Sequence, residues 1–291
     1  AIIDVEIWSE SGIRPPKVVT LKANSSLVQN LDSLDPGAKR IALHISPRSG
    51  RVNAFLVDER GRGLQSLGGD MVNASADPTK EIVIPAIPQM KRSGKTLGHT
   101  LRVLVPGEVD ARVTVQLNST KGSFIPVGFD DRIIKAGVVS EIALNPQLAP
   151  TTFSLKISSD RPIVASVYSS TYAQSKSDFV WSTSTQEMKS YSLAVSGLEP
   201  ELVFSGEKIS LSLSILYTNK KEKKVTIKGE GIATFKVPAN ARTVNFIEVS
   251  KATYGGALIA TQSGFGYLPL VPGSELTRAL LPTANIRVLN P

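Results

Sequence analysis

The sequence predicts an all-β protein made of three repeated immunoglobulin-like antiparallel β-sandwich units. Three observations lead to this prediction. Apolar and polar residues alternate in most segments, and turn-forming pairs recur at short intervals. Similar sequence segments also recur after roughly 100 residues, the size of one such sandwich. No amphipathic segment of ten or more residues indicates a helix.

The alternation is clearest in two early strands. The segment RIALHISP places Ile41, Leu43 and Ile45 on one face, and ARVTVQLN does the same with Val113, Val115 and Leu117. Turn signals separate these short strands along the chain, as at Pro106-Gly107, Lys121-Gly122, Arg161-Pro162, Gly255-Gly256 and Pro272-Gly273. This rhythm is typical of antiparallel β domains.

The repetition is strongest in three segments, LKANSSLVQNL, IKAGVVSEIAL and VPANARTVNFI, at residues 21–31, 134–144 and 237–247. Each reads as two apolar stretches joined by a tight turn, so we expect three equivalent hairpins. Asn24, Gly137 and Asn240 then occupy a turn position that needs positive φ, which glycine and asparagine tolerate best.

Aligned on these segments, the chain divides into units 1–92, 93–199 and 200–291. The first unit lacks the strand pair that opens the other two, and the terminal NIRVLNP resembles the missing strand. One prediction is that residues 286–291 supply this strand and close unit 1. Two alternatives stay open: the tail begins a fourth unit, or it is the last strand of the third.

Composition excludes several functional classes. With 291 residues, 41% of them hydrophobic and 20% charged, the chain is long enough for several cores and has no apolar run that spans a membrane. The absence of cysteine excludes disulfides, thiolate metal sites and cysteine nucleophiles. A net charge of +8 favours an anionic partner, whereas 6% aromatic content argues against nucleic acid.

The sequences of the strand and turn segments resemble those of an actinobacterial family of secreted or membrane-anchored proteins of unknown function. Proteins of this family are encoded beside a large envelope glycosyltransferase. The matching phrases are Pro106-Gly107, the loop from Gly122 to Pro126, Ala136-Gly137, and the run from Ser159 to Ala165. An Asp-Trp pair of that family corresponds here to Asp70-Met71 and Asp178-Phe179. The resemblance implies a location at the outer face of the membrane or in the wall, and it transfers no catalytic residue.

Candidate catalytic residues are few. His44 alternates with apolar neighbours and is expected on the solvated face of its strand, while His99 is expected to be a polar residue of a linker. No GxSxG motif is present, and no acidic spacing fits a calcium loop. Paired carboxylates contributed by distant strands stay open. The sequence therefore favours a protein that is not an enzyme and that has no cofactor or metal.

Two sets of residues are candidates for contact with a ligand or partner. Trp181 alternates with Phe179 and either lines a sugar-binding groove or belongs to the core. Lys220, Lys221, Lys223 and Lys224 are expected at a hairpin tip, where they are either a solvated turn or a contact for anionic polymer or lipid headgroups.

The functional expectation is a non-enzymatic, extracytoplasmic envelope protein that acts as a scaffold or accessory partner. The expected partner is an envelope protein, with a glycosyltransferase as one case, or a wall polysaccharide. Any membrane proximity would come from a segment absent from this chain. The alternative function is a module that binds carbohydrate or anionic wall polymer.

Overall fold

A computed structural model describes residues 1–62, 65–89, 91–92, 95–144, 151–171, 178–260 and 264–271, with backbone alone at 62, 65, 91–92 and 95–96. These residues form antiparallel sheets and two half-barrels, with one 3-10 turn, Leu31–Ser33, and no α-helix. The predicted all-β class is confirmed. Among the described residues no helix is long and apolar enough to cross a membrane.

The first sheet has three strands: β1 (Ile2–Ser9), β2 (Gly12–Thr20) and β3 (Ile41–Ser49), in the order β2-β1-β3. Alternation along β1 buries Ile3, Val5 and Ile7 on one face. Trp8, on the other face, packs against residues of the second sheet. The first sheet is therefore attached to the rest of the protein through a small apolar contact.

Two hairpins and one single strand follow the first sheet. Strands β4 (Leu56–Arg62) and β5 (Gln65–Val72) form a two-stranded hairpin, as do β7 (Lys91–Arg92) and β8 (Lys95–Thr96). Between the two hairpins, β6 (Thr79–Ile87) joins the second sheet by pairing with its longest strand.

The second sheet contains β6 and seven strands that follow it: β9 (Gly98–Leu104), β10 (Ala111–Ser119), β11 (Gly122–Phe124), β12 (Arg132–Ile134), β13 (Val139–Leu144), β14 (Phe153–Thr171) and β15 (Asp178–Thr183). The long strand β14 organises this half-barrel. Its first part pairs with β10 and β6, and its second part pairs with β9 and β15. The enclosed core includes Phe153, Leu155, Ile157 and Ile163, all of them fully buried.

The third sheet contains β16 (Tyr191–Ala194), β17 (Glu201–Tyr217), β18 (Glu222–Lys236), β19 (Ala241–Val249), β20 (Tyr254–Ala260) and β21 (Phe265–Pro269). The long strand β17 has the organising role here. It pairs with β18 along its length, and its other edge pairs first with β20 and then with β19. A separate apolar cluster that includes Ala86, Val180 and Val203 joins the two half-barrels.

The three repeated turns differ from the prediction. Positive φ is confirmed at Asn24 (54°) and Gly137 (71°) but is wrong for Asn240, which lies in a turn closed by a hydrogen bond from Ala241 N to Pro238 O. None of the three segments forms a hairpin. After Asn24 the next strand is β3, which begins only at Ile41. Strands β12 and β13, on either side of Gly137, pair with β10 and β9. Strands β18 and β19, on either side of Asn240, lie on opposite edges of β17. The turn at Gly137 therefore connects strands with different pairing partners, and the turn at Asn240 connects strands on the two edges of one partner, neither of which apolar alternation alone reveals.

The number of immunoglobulin-like units and their boundaries stay predictions. One observation bears on the first boundary: β6, which the sequence places in unit 1–92, pairs with β14. Its residues Ile82, Ile84 and Ile87 are buried in the core of the second sheet. The proposed closing strand, residues 286–291, lies outside the described residues.

Candidate functional site

A row of three aromatic rings lies beside the β4–β5 hairpin. Trp181 and Phe179 project from the same face of β15, and Tyr168 of β14 is the register partner of Trp181. The ring centroid of Tyr168 lies 5.4 Å from that of Phe179 and 5.1 Å from that of Trp181. Trp181 is only 5% exposed and Phe179 only 1%, and Val72 of the hairpin packs on the row. Neither ring presents an open face on which a sugar could stack.

The hairpin is attached to this row through two aspartates. Asp58 of β4 and Asp70 of β5 are cross-strand partners, so both side chains leave the hairpin on the face toward β15. The indole Nε1–H of Trp181 donates to Asp58 Oδ2 at 2.9 Å, and the Trp181 backbone N–H donates to Asp70 Oδ2 at 2.7 Å. One tryptophan thus binds both strands of the hairpin.

Two arginines cover the ring faces. The guanidinium of Arg60 lies 4.1 Å from the ring centroid of Tyr168 and donates to Asp58 at 2.9 Å. The guanidinium of Arg102 lies 4.8 Å from the ring centroid of Trp181 and 3.4 Å from Glu141 Oε1. Burial lowers the pKa of Arg102 from its ordinary value, and Glu141 opposes that shift. The cation–π contact of Arg60 joins the hairpin to β14 and stabilises its docking, whereas that of Arg102 lies within the second sheet.

A third aspartate, Asp178 at the start of β15, joins the cluster. Its Oδ2 accepts the backbone N–H of Phe265 at 2.8 Å, which connects β15 to β21. Glycines lie close to it: a Cβ on Gly68 would stand 2.8 Å from Asp178 Oδ1, and one on Gly264 would stand 2.9 Å from Oδ2. Gly68 also has a φ of +118°, so a larger residue there would be strained as well as crowded.

The acidic groups share one weakly solvated space. Burial raises the pKa of Asp70 to about 6, and the charges of Asp178 and Asp58 add to the rise, while N–H groups of Trp181 and Met71 oppose it. Of the ion pairs between described residues, none includes Asp70. We call Asp58, Arg60, Asp70, Arg102, Tyr168, Asp178, Phe179 and Trp181 the hairpin network.

The two histidines lie in opposite environments. His44 is exposed, as predicted, with Nδ1 2.6 Å from Glu6 Oε2. The prediction that His99 is a linker residue is wrong, because β9 already begins at Gly98. His99 is 3% exposed, with Nδ1 2.9 Å from Ser169 Oγ and Nε2 2.9 Å from Gln89 Oε1. Burial lowers its pKa to about 4.

The four candidate lysines lie where the sequence places them. All four are exposed: Lys220 and Lys221 lie in the turn between β17 and β18, and Lys223 and Lys224 follow at the start of β18. Lys220 has a φ of 64°, and the turn is closed by a hydrogen bond from Tyr217 N to Lys221 O. Arg242, also exposed, stands at the start of β19 next to the end of β17.

Two shallow depressions border the half-barrels. One of about 380 Å³ lies between the hairpin and the β14–β15 edge, and its lining includes Arg60, Tyr168 and Asp178. Another of about 260 Å³ is lined by residues that include Glu201, Lys236 and Phe265. In the part of the chain that the structure describes, no group of three or more histidines and acidic residues has the arrangement of a metal site.

Sequence reasoning identified Trp181 and Phe179 but missed the residues that cover them. The available signal was the alignment of Asp70 with Asp178 as equivalent positions of two units. These two aspartates in fact act on each other electrostatically beside Trp181. Asp58, Arg60 and Arg102 carried no signal in the sequence, because their roles depend on how the hairpin folds back.

Comparison with known proteins gives a family and little more. The model of a family of unknown function (DUF5719) matches residues 1–240. A search of curated proteins finds no match. A crystal structure described as that of Thermotoga maritima 1070 has a TM-score of 0.29 and 11% identity, and the match covers 38% of this chain and 96% of the other.

Proposed function

The chain belongs to the DUF5719 family of unknown function, and we propose that it is a non-enzymatic scaffold or accessory protein of the cell envelope. The proposal places it outside the cytoplasm, either secreted or at the outer face of the membrane, in an actinobacterial envelope. It includes the three immunoglobulin-like units inferred from the repeats. An envelope protein is the proposed partner, and a glycosyltransferase is the first to test.

The exposed outer face of the β4–β5 hairpin supports the binding of a partner protein. Val57 and Met71 are cross-strand partners on the face opposite Asp58 and Asp70, and they are 50% and 56% exposed. Phe55, two residues before Val57, is 72% exposed. Adjacent exposed apolar side chains on a projecting ribbon are typical of a protein contact. The inner face fixes the ribbon in place, so the outer face is presented in a defined orientation.

The chemistry of the inner face also favours a structural role. Asp58, Asp70 and Asp178 each accept an N–H group of the chain itself. A general acid or base has to reach a substrate proton, and carboxylates already engaged on their own strands are poorly placed for that. The hairpin network therefore supports positioning of the ribbon better than it supports catalysis.

Site-specific photo-crosslinking in intact source cells tests this proposal. A photoreactive phenylalanine analogue replaces Val57 in one variant and Val28 in a matched control, since Val28 is 95% exposed in a different region. We expect one discrete envelope protein crosslinked at position 57 and not at 28, and we expect the product to disappear when Met71→Asp is added. Equal labelling at both positions, or none at position 57, would contradict the proposal.

A second candidate function is binding of anionic wall polymer, and the lysine turn favours it. Lys220, Lys221, Lys223, Lys224 and Arg242 place five exposed cations at one end of the third sheet. One nearby acid, Glu222, accepts a hydrogen bond from Ser214 Oγ. A local excess of positive charge attracts polyanions in a salt-dependent way.

Inorganic polyphosphate is the probe for this second candidate. Replacing Lys220, Lys221, Lys223 and Lys224 by serine should weaken binding by at least about tenfold at low salt and reduce its salt dependence. The matched control replaces four exposed lysines elsewhere, Lys80, Lys135, Lys189 and Lys251. If both quadruple variants lose the same affinity, net charge explains the binding and the turn is not a site.

A further inference from the structure

The β4–β5 hairpin is a separable element. Among the described residues its strands form a backbone ladder only with each other, and no ladder joins them to either half-barrel. Its described attachments are side-chain contacts. They include Asp58 and Asp70 on Trp181, Arg60 over the ring of Tyr168, Val72 on the aromatic row, and Asn73 Nδ2 donating to Tyr267 O at 3.1 Å. A lone two-stranded hairpin is marginally stable in water, so these contacts determine whether it stays docked.

Three carboxylates converge at these contacts, and their negative charges are balanced by neighbouring groups to different extents. Asp58 has the guanidinium of Arg60 and the indole N–H of Trp181. Asp178 accepts a backbone N–H from β21. Asp70 has backbone N–H groups, and it has no ion pair with any described residue. Ionising all three acids puts like charges together where water screens them poorly.

We propose that the hairpin is a proton-dependent clasp: it is held tightly on β15 while Asp70 is protonated and loosens when Asp58, Asp70 and Asp178 are all charged. This goes beyond the proposed scaffold function, because it makes the docked ribbon, and with it the orientation of Phe55, Val57 and Met71, dependent on the proton concentration. A protonated Asp70 still accepts the Trp181 N–H through its carbonyl oxygen. Its new O–H is a hydrogen-bond donor, and the side chain no longer adds a negative charge to those of Asp58 and Asp178.

Charged groups from several elements surround Asp70 and determine the direction in which docking changes with pH. Strand β4 contributes Asp58 and Arg60, β15 contributes Asp178, β9 contributes Arg102, and β13 contributes Glu141 behind Arg102. Arg60 and Arg102 are positive throughout, and each is already paired with its own carboxylate. Asp70 is therefore the group whose charge changes near neutral pH.

The direction in which docking changes with pH follows from the direction of the pKa change of Asp70. The pKa of Asp70 is about 6 when docked, against an ordinary value of 3.8. Protonated Asp70 therefore makes its full contribution to docking below about pH 4. That contribution is lost as the pH rises through about 6. A change of about two pKa units corresponds to a change of up to about 100-fold in the docking equilibrium.

The two tryptophans of the chain make a direct test possible. Trp8→Phe leaves Trp181 as the only tryptophan, whose emission is selected by excitation above the absorption of tyrosine, and the indole N–H of Trp8 has no partner whose loss would matter. Acrylamide quenching of Trp181 then reports whether the hairpin covers it. In Trp8→Phe we expect quenching to increase at least about twofold between pH 5 and pH 8, with a midpoint near 6.

Adding Asp70→Asn should keep quenching low and flat across this range, because the amide is neutral and nearly isosteric. The matched control adds Asp4→Asn, which removes a carboxylate paired with Arg48 in the first sheet and should leave the pH profile unchanged. Should Asp70→Asn disturb folding, Asp178→Asn provides a second variant and should move the midpoint to lower pH. A flat profile in Trp8→Phe alone, or an unaltered profile in both Asn variants, overturns the proposal.

Discussion

The β4–β5 hairpin and strand β6 are neighbours in the sequence and are held to the second sheet in different ways. Strand β6 pairs with β14 through a backbone ladder and buries Ile82, Ile84 and Ile87 at 3% exposure or less. The hairpin pairs only with itself among the described residues and is held by charged and aromatic side chains. One segment is thus part of the core, whereas its neighbour is bound to the surface of that core.

This difference separates the forces that stabilise the fold from those that position the outer face of the hairpin. Apolar burial beneath a backbone ladder changes little with pH or salt. Contacts between carboxylates, arginines and ring faces depend on protonation and on screening. We therefore expect mutations in the two regions to differ in size, in pH dependence and in whether they act globally or locally.

The largest expected effect is that of Ile84→Ala in β6. Ile84 is fully buried, so truncation leaves a cavity and should lower the free energy of global unfolding by about 2–5 kcal/mol. Urea denaturation measures this. Val57→Ala, on the exposed face of the hairpin, is the control and should stay within about 0.5 kcal/mol. A loss below about 1 kcal/mol for Ile84→Ala would show that β6 is not part of the core.

The second effect concerns the pH response of the core, which should be opposite to that of the hairpin. The pKa of His99 is about 4 in the fold, against an ordinary value of 6.5. Its contribution is therefore complete above about pH 6.5 and is lost as the pH falls through 4. Between pH 7 and 4.5, this group should cost on the order of 2 kcal/mol of global stability.

Urea denaturation at the two pH values checks the effect of His99, with His99→Gln as the variant. The variant should be less stable at pH 7 but should lose less on acidification than the wild type does. An equal loss in both proteins would assign the acid sensitivity to other groups. The hairpin should become better docked over the same pH change, because Asp70 gains a proton there.

A smaller and local effect is expected from Trp181→Phe. The substitution removes the indole donor to Asp58 but keeps a ring beneath Arg102. Docking should weaken by about 1–2 kcal/mol, because a hydrogen bond to a charged acceptor is lost. Hydrogen exchange of the hairpin amides, compared with those of β6, measures it. Equal changes in both segments would mean that the two regions unfold together.

The smallest effect on stability is expected at the lysine turn. Lys223→Ser and Lys224→Ser change exposed side chains at the start of β18 and should each alter the free energy of unfolding by less than about 0.5 kcal/mol. Thermal denaturation is sufficient to test this. A larger loss from either variant would mean that the turn contributes to the core of the third sheet, and its proposed role in binding would need separate support.

The sequence predicted the all-β class and much of the local turn chemistry. Positive φ at Asn24 and Gly137 follows from residue type, and exposure of Lys220 follows from its charged surroundings. These are local properties that short stretches determine. The pairing of β6 with β14 was missed, since apolar alternation specifies a buried face without specifying which sheet buries it.

The hairpin network was predictable only in part. Alternation placed Phe179 and Trp181 on one face, and the repeat aligned Asp70 with Asp178. The covering of these rings by Arg60 and Asp58 depends on the return of a hairpin from more than 100 residues away in the chain. No local pattern encodes that approach. Trp181, for which the sequence left both a sugar-binding groove and the core open, is the anchor of the hairpin.

Hydrogen exchange at pH 7.5 tests the central claim, that the hairpin is bound to the core without being part of it. Amides of β4 and β5 that lie in their mutual ladder should exchange through local opening, at a lower free energy than the amides of β6 and β14 and with little dependence on urea. Those of β6 and β14 should exchange only through global unfolding. Exchange of the hairpin amides at the global free energy, with the full urea dependence, would contradict this account.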